Sequence, residues 1–119
     1  MADREALYGS LRAMMLECAP GMTVAKDVPG ELVLHAPWRN PAKPKDPVWF
    51  GMVKNGKAYV SVHLMPLYGN AALTDGVPES LRQRQQGKTC FNFKVDEPDL
   101  LAQLAALTHR CAEAFAEPV

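Results

Sequence analysis

The stretch PVWFGMVKNGKAYVSVHLMPLYGN, residues 47–70, decides the fold. Two short apolar runs, Val48–Lys54 and Lys57–Leu64, flank Asn55-Gly56. That dipeptide supplies the two positive φ angles of a type I′ turn, so the segment reads as a β-hairpin. A two-residue turn sets the register, and the register sets the faces. Val53 is expected opposite Ala58, Gly51 opposite Val60 and Trp49 opposite Val62, all on one side. Met52 opposite Tyr59, Phe50 opposite Ser61 and Val48 opposite His63 make the other side, with Lys54 and Lys57 at the tip. The first side is purely apolar and is expected to lie under helices, with Trp49, Val53, Val60 and Val62 in the core. The second is mixed, and Phe50, Met52, Tyr59 and His63 are expected on an uncovered face.

Upstream, Asp3 can cap a helix in which Leu7, Leu11, Met14, Met15 and Cys18 recur at helical spacing, ended by Pro20-Gly21. Residues 22–27 read as a strand, Pro29-Gly30 as a turn and Glu31–Ala36 as a second strand, with Leu32, Leu34 and Ala36 on one face. The segment PWRNPAKPKDP, residues 37–47, holds four prolines and is a loop, because proline cannot donate to a ladder. Trp38, Arg39, Lys43 and Lys45 make it either a lid with an anion contact or a solvated connector with its Trp tucked onto the body.

Downstream, Ala71–Thr74 reads as a helical turn and Pro78–Gln86 as a short solvated helix anchored by Val77 and Leu81. Thr89–Val95 is a strand with Phe91, Phe93 and Val95 inward, and Cys90, Asn92 and Lys94 outward. Asp96, Pro98 and Asp99 start the last helix, whose stripe is Leu101, Leu104, Thr108, Cys111 and Phe115, supported by Leu100 and Leu107. Adjacent strands with helices at the chain ends indicate an α+β domain. The expectation is one mainly antiparallel sheet of about five strands, in the order α-β-β-β-β-α-β-α, with both terminal helices on one face of a single domain spanning residues 1–119.

Composition narrows the function classes. The 13 Lys and Arg balance 13 Asp and Glu, which removes the electrostatic footprint of a general nucleic-acid binder. No apolar run approaches the ~20 residues of a membrane span. Asp3 and Glu5, without an apolar stretch, argue against a secretory signal. Cys18, Cys90 and Cys111 are an odd, widely spaced set, read as reduced thiols. A soluble cytoplasmic protein is expected.

The segments KAYVSVHLMPLYGN and QGKTCFNFKVDEPDLLAQLAALTHRCAEAF carry a resemblance. The chain resembles the bacterial YdhG-like proteins, a family long classed as of unknown function, most specifically over residues 57–115 and within a subgroup bearing HLMP-x-Y and QGK-S/T-CFNF. The resemblance implies the same α+β sheet with helices on one side. Some members are described as frataxin-like iron chaperones, so it also implies iron handling as an alternative function. Frataxin-type binding uses an acidic cluster on the first helix and neighbouring strand. This chain departs from that pattern: Asp3, Glu5, Glu17, Asp27 and Glu31 are interrupted by Arg4, Arg12 and Lys26.

Among chemistry-bearing residues, His35, His63 and Cys90 share the expected open face and are competent zinc or iron ligands, without the close spacing of a dedicated site. Cys90 with His63 is the one pair suggesting covalent catalysis, and no Asp or Glu on a strand face accompanies it. Gly51, Gly56 and Gly69 are isolated, so no phosphate-binding loop is read, and no cofactor is expected. Non-catalytic binding of a small molecule or protein partner fits best. The expected ligand-binding residues are Phe50, Met52, Tyr59, His63, Tyr68, Lys88 and Asn92. The alternatives are metal handling and a homodimer with the open face as its interface.

Overall fold

The computed structural model describes residues 2–117, with side chains from Arg4 onward. The expected cap at Asp3 lies outside the described side chains. A helix α1 (Ala2–Cys18) precedes strands β1 (Thr23–Val28), β2 (Glu31–His35), β3 (Trp49–Asn55) and β4 (Val60–Leu64). A 3-10 turn (Met65–Leu67), short helices α2 (Ala71–Asp75) and α3 (Glu79–Arg82), strands β5 (Gln85–Gln86) and β6 (Cys90–Phe93), and helix α4 (Pro98–Ala114) complete the chain. The fold is α+β: one antiparallel sheet in the order β1-β2-β3-β4-β6-β5. It has six strands rather than five. The expected helix over 78–86 stops at Arg82, and Gln85-Gln86 pairs with β6 instead.

The two long helices pack on each other and on one face of the sheet, because their apolar stripes need a partner surface. Leu7, Leu11 and Met15 of α1 and Leu100, Leu104, Leu107 and Cys111 of α4 meet Leu32, Leu34, Val53, Val60, Val62, Phe91 and Phe93. Tyr8 is buried alongside them, while Met14 and Cys18 are only half-buried. No helix among the described residues is long and apolar enough to cross a membrane.

The central hairpin differs from its expected register. Asn55 pairs with Val60, Val53 with Val62 and Gly51 with Leu64, so Gly56–Tyr59 form a four-residue tip. The tip is closed by a bond from the Gly56 amide to the Tyr59 carbonyl at 2.9 Å. Neither Asn55 nor Gly56 has positive φ, so the turn is not type I′. The longer loop draws Leu64 into the ladder above Gly51, where it is fully buried. The displacement is an even number of residues, so Val53, Val60 and Val62 still face inward and Tyr59 and His63 outward.

Trp49 and Phe50 are exchanged relative to expectation. Opposite Leu34 stands Gly51, but opposite His35 stands Trp49, so Phe50 is the extra residue of a β-bulge. The bulge turns Phe50 fully into the core and leaves Trp49 47% exposed on the outer face. There the Trp49 ring lies 6.0 Å from that of His35. Phe50 packs 6.4 Å from Phe115, whose ring lies 5.6 Å from Trp38. Trp38 also donates its Nε1–H to the Phe115 carbonyl at 2.8 Å, which ties the proline-rich loop to the end of α4. Val95, expected inward, lies beyond the end of β6 and is 58% exposed.

Candidate functional site

The face away from the long helices is built from cross-strand rows, since opposed residues on neighbouring strands share a side. One row runs Lys26, Val33, Met52, His63, Cys90, Gln86 from β1 to β5. A second runs Val28, Glu31, Lys54, Ser61, Asn92, and a third joins Thr23, His35 and Trp49. Val33 is 95% shielded by this surface, being only 5% exposed, while Met52, His63, Ser61, Cys90 and Asn92 are half-buried.

A polar knot holds the β4–β6 part of the face. Ser61 Oγ donates to Asn92 Oδ1 at 2.8 Å, and Cys90 Sγ donates to the same oxygen at 3.3 Å. Burial pushes the Cys90 thiol up, against a smaller opposing effect of Ser61, and burial pushes the His63 imidazole down. Both groups are therefore biased toward their neutral forms. A nucleophilic pair needs the thiolate, stabilised by an adjacent imidazolium.

Beside this knot a groove of about 510 Å³ is lined by Tyr59, Gln83, Arg84, Gln86, Asn92, Lys94, Val95 and Glu97. Tyr59 and Lys94, each one residue beyond the last ladder pair Val60–Phe93, both line the groove. On the far side, the Asn92 amide donates to the Arg84 carbonyl at 2.8 Å and positions the strand edge. Arg84 then grips Glu97 with two bonds, Nε to Oε1 at 2.8 Å and Nη2 to Oε2 at 2.6 Å. Glu97 precedes α4 directly, so this fork ties the sheet edge to the helix start and closes one side of the groove. The Arg84 hydrogen bond holds the Glu97 carboxyl below the usual carboxylate range.

The sequence-predicted residues are distributed unevenly. Tyr59 and Asn92 line the groove, and Met52 and His63 occupy the central row near it. Tyr68 and Lys88 meet each other, the Lys88 ammonium 5.2 Å from the Tyr68 ring centre, with Tyr68 67% exposed. Phe50 is in the core and cannot contact a ligand on the face. Of the metal candidates, His63 and Cys90 are direct cross-strand partners, but His35 belongs to β2, with β3 between it and His63. Among the described residues no group of three His, Cys, Asp or Glu side chains is placed to hold a metal ion. Asp27 and Glu31 are engaged by Arg12 and Lys26.

Gln83, Gln86 and Glu97 are groove residues that the sequence reading misses. They stand at the end of the short helix α3, in a two-residue strand and at the approach to α4, none of which carries a hydrophobic period. No family model matches the chain, no curated protein matches it, and no solved structure matches it.

Proposed function

We propose that this protein is a non-catalytic binding module that takes a small ligand in the groove beside Tyr59 and Asn92. The observation that carries the reading is the groove itself. It lies on a sheet face that the long helices leave free, and its size falls in the range of small-molecule sites. It also joins an aromatic ring to convergent amides, the usual means of fixing the orientation of a small ligand. The neutral bias of Cys90 and His63 supports binding over covalent chemistry. The HLMP and QGKTCFNF segments support membership of the YdhG-like proteins as part of the same proposal.

Amide NMR spectra of labelled protein, recorded against a library of small polar fragments, test the reading. Binding fragments are expected to shift Tyr59, Asn92, Lys94 and their neighbours, and to lose that effect in Tyr59→Ala. Fragments that map to α1 and α4, or that bind Tyr59→Ala unchanged, refute it.

A further inference from the structure

We infer that the groove selects a small planar carboxylate. The inference rests on the binding reading above and follows from which hydrogen-bonding groups around the groove are already committed. Asn92 Oδ1 accepts from both Ser61 and Cys90, so the carbonyl side of this amide is used and its Nδ2 donors are left over. Both Glu97 oxygens accept from Arg84, which neutralises the one carboxylate of the lining. The fork uses Arg84 Nε and Nη2 and leaves Nη1 uncommitted. Lys94 is exposed and enters no ion pair among the described residues.

The uncommitted groups of Asn92, Arg84 and Lys94 are thus all donors, and the groove carries one net positive charge. Lys54, the neighbour of Ser61 on the same face, adds to that sign. Its other neighbour, Glu31, is bonded to Lys26 at 2.8 Å. The amides of Gln83 and Gln86 offer donors and acceptors alike, so the surplus of donors and the positive charge come from Asn92, Arg84 and Lys94. That surplus favours an acceptor-rich ligand, and charge-assisted bonds favour an ionised one. The Tyr59 ring and exposed Val95 add apolar surface to the lining, which suits an unsaturated body. Carboxylate oxygens against Asn92 and Lys94, with the ring over Tyr59, satisfy both halves of the site.

Benzoate and its neutral isostere benzamide are the probes, titrated into the labelled protein and monitored at the Tyr59, Asn92 and Lys94 amides. Benzoate is expected to bind at least about tenfold more tightly than benzamide, since only benzoate sets a negative charge against the Lys94 ammonium, with both partners of the bond ionised. Asn92→Asp keeps the oxygen that Ser61 needs but replaces the donors with negative charge, and is expected to weaken benzoate by about tenfold or more. Lys94→Gln, at an exposed position, should weaken benzoate severalfold without disturbing the fold. Benzamide binding the groove as well as benzoate overturns the carboxylate inference and leaves the binding reading standing. So does Asn92→Asp with unchanged benzoate affinity. Neither probe shifting the groove amides at tens of millimolar overturns both.

Discussion

Truncating Phe50 and Trp49 separately tests the bulge that sets this sheet's two faces. In regular alternation Trp49 belongs to the core and Phe50 to the outer face; the bulge reverses them. Phe50 has no exposed surface and packs against Phe115, itself in contact with Trp38. Phe50→Ala therefore removes a whole buried ring and leaves a void between β3 and the end of α4. A buried Phe→Ala change costs about 3–5 kcal/mol in lost transfer energy and cavity formation. At about 4 °C per kcal/mol for a chain of this size, the melting temperature falls by roughly 12–20 °C. Trp49 keeps 47% of its surface in water and has the His35 ring as its neighbour. Trp49→Ala opens no cavity, and its loss should be about 1 kcal/mol, the scale of an exposed cross-strand aromatic contact. Urea unfolding followed by far-ultraviolet circular dichroism measures both changes. A Trp49→Ala cost equal to or larger than that of Phe50→Ala refutes the bulge and the face assignment built on it.

Gly51→Ala should destabilise by about 1–3 kcal/mol as an overpacking change. The added Cβ would stand 2.8 Å from the His63 carbonyl oxygen and 3.2 Å from Met15 Cε, whereas Gly9→Ala on α1 meets nothing within 4 Å. Gly9→Ala should instead stabilise, by up to ~1 kcal/mol, and the same urea titration distinguishes the two signs. Acidification should destabilise the protein in two windows. His35 and His63 have lowered folded pKa values, so below about pH 6.5 the unfolded chain takes up protons first, and stability falls until the folded values are reached. Asp27, Glu31 and Glu97 are held down by Arg12, Lys26 and Arg84, so their contribution is full above about pH 4.5 and is lost as pH drops through the lowered values. Urea midpoints measured against pH check this; stability rising between about pH 6.5 and 5 contradicts the histidine contribution, and His63→Gln should shrink that window.

The α+β class, the single sheet and the two covering helices were legible because each rests on a repeated period: Leu7-Leu11-Met15, Leu104-Thr108-Cys111, and the alternation around Val60 and Val62. The hairpin register differs from expectation by four residues, yet Tyr59 and His63 keep their side, because an even slip preserves a period of two. The bulge was a one-residue event and did exchange faces, for Trp49 and Phe50. Gly51 was the available signal, since a glycine within a strand often marks a bulge or a close backbone approach, and here it marks both. The groove was only half legible. Asn92 belongs to an alternating strand and Tyr59 directly precedes one in the same phase, but Glu97 is placed by the Arg84–Glu97 fork, Gln86 by a two-residue strand and Gln83 by the end of α3. Those are long-range contacts that no local pattern announces.

The sheet's edges bear on why the open face is the surface left for binding. An exposed edge strand is a template for pairing with another chain unless something blunts it. β1 is exposed along all six residues, and it carries the devices that discourage such pairing. A bulge at Ala25 breaks its ladder, Asp27 turns toward the helix layer to meet Arg12, and Lys26 is held on the outer face by Glu31. At the opposite edge β5 offers only Gln85 and Gln86. Backbone pairing is thus discouraged at one end and too short to matter at the other. The outer face has no comparable protection around Tyr59, where the groove carries one net positive charge and Lys94 enters no ion pair among the described residues. The chain guards its edges and leaves that face free, which is the distribution expected when contact with a partner molecule is made through side chains rather than through strand addition.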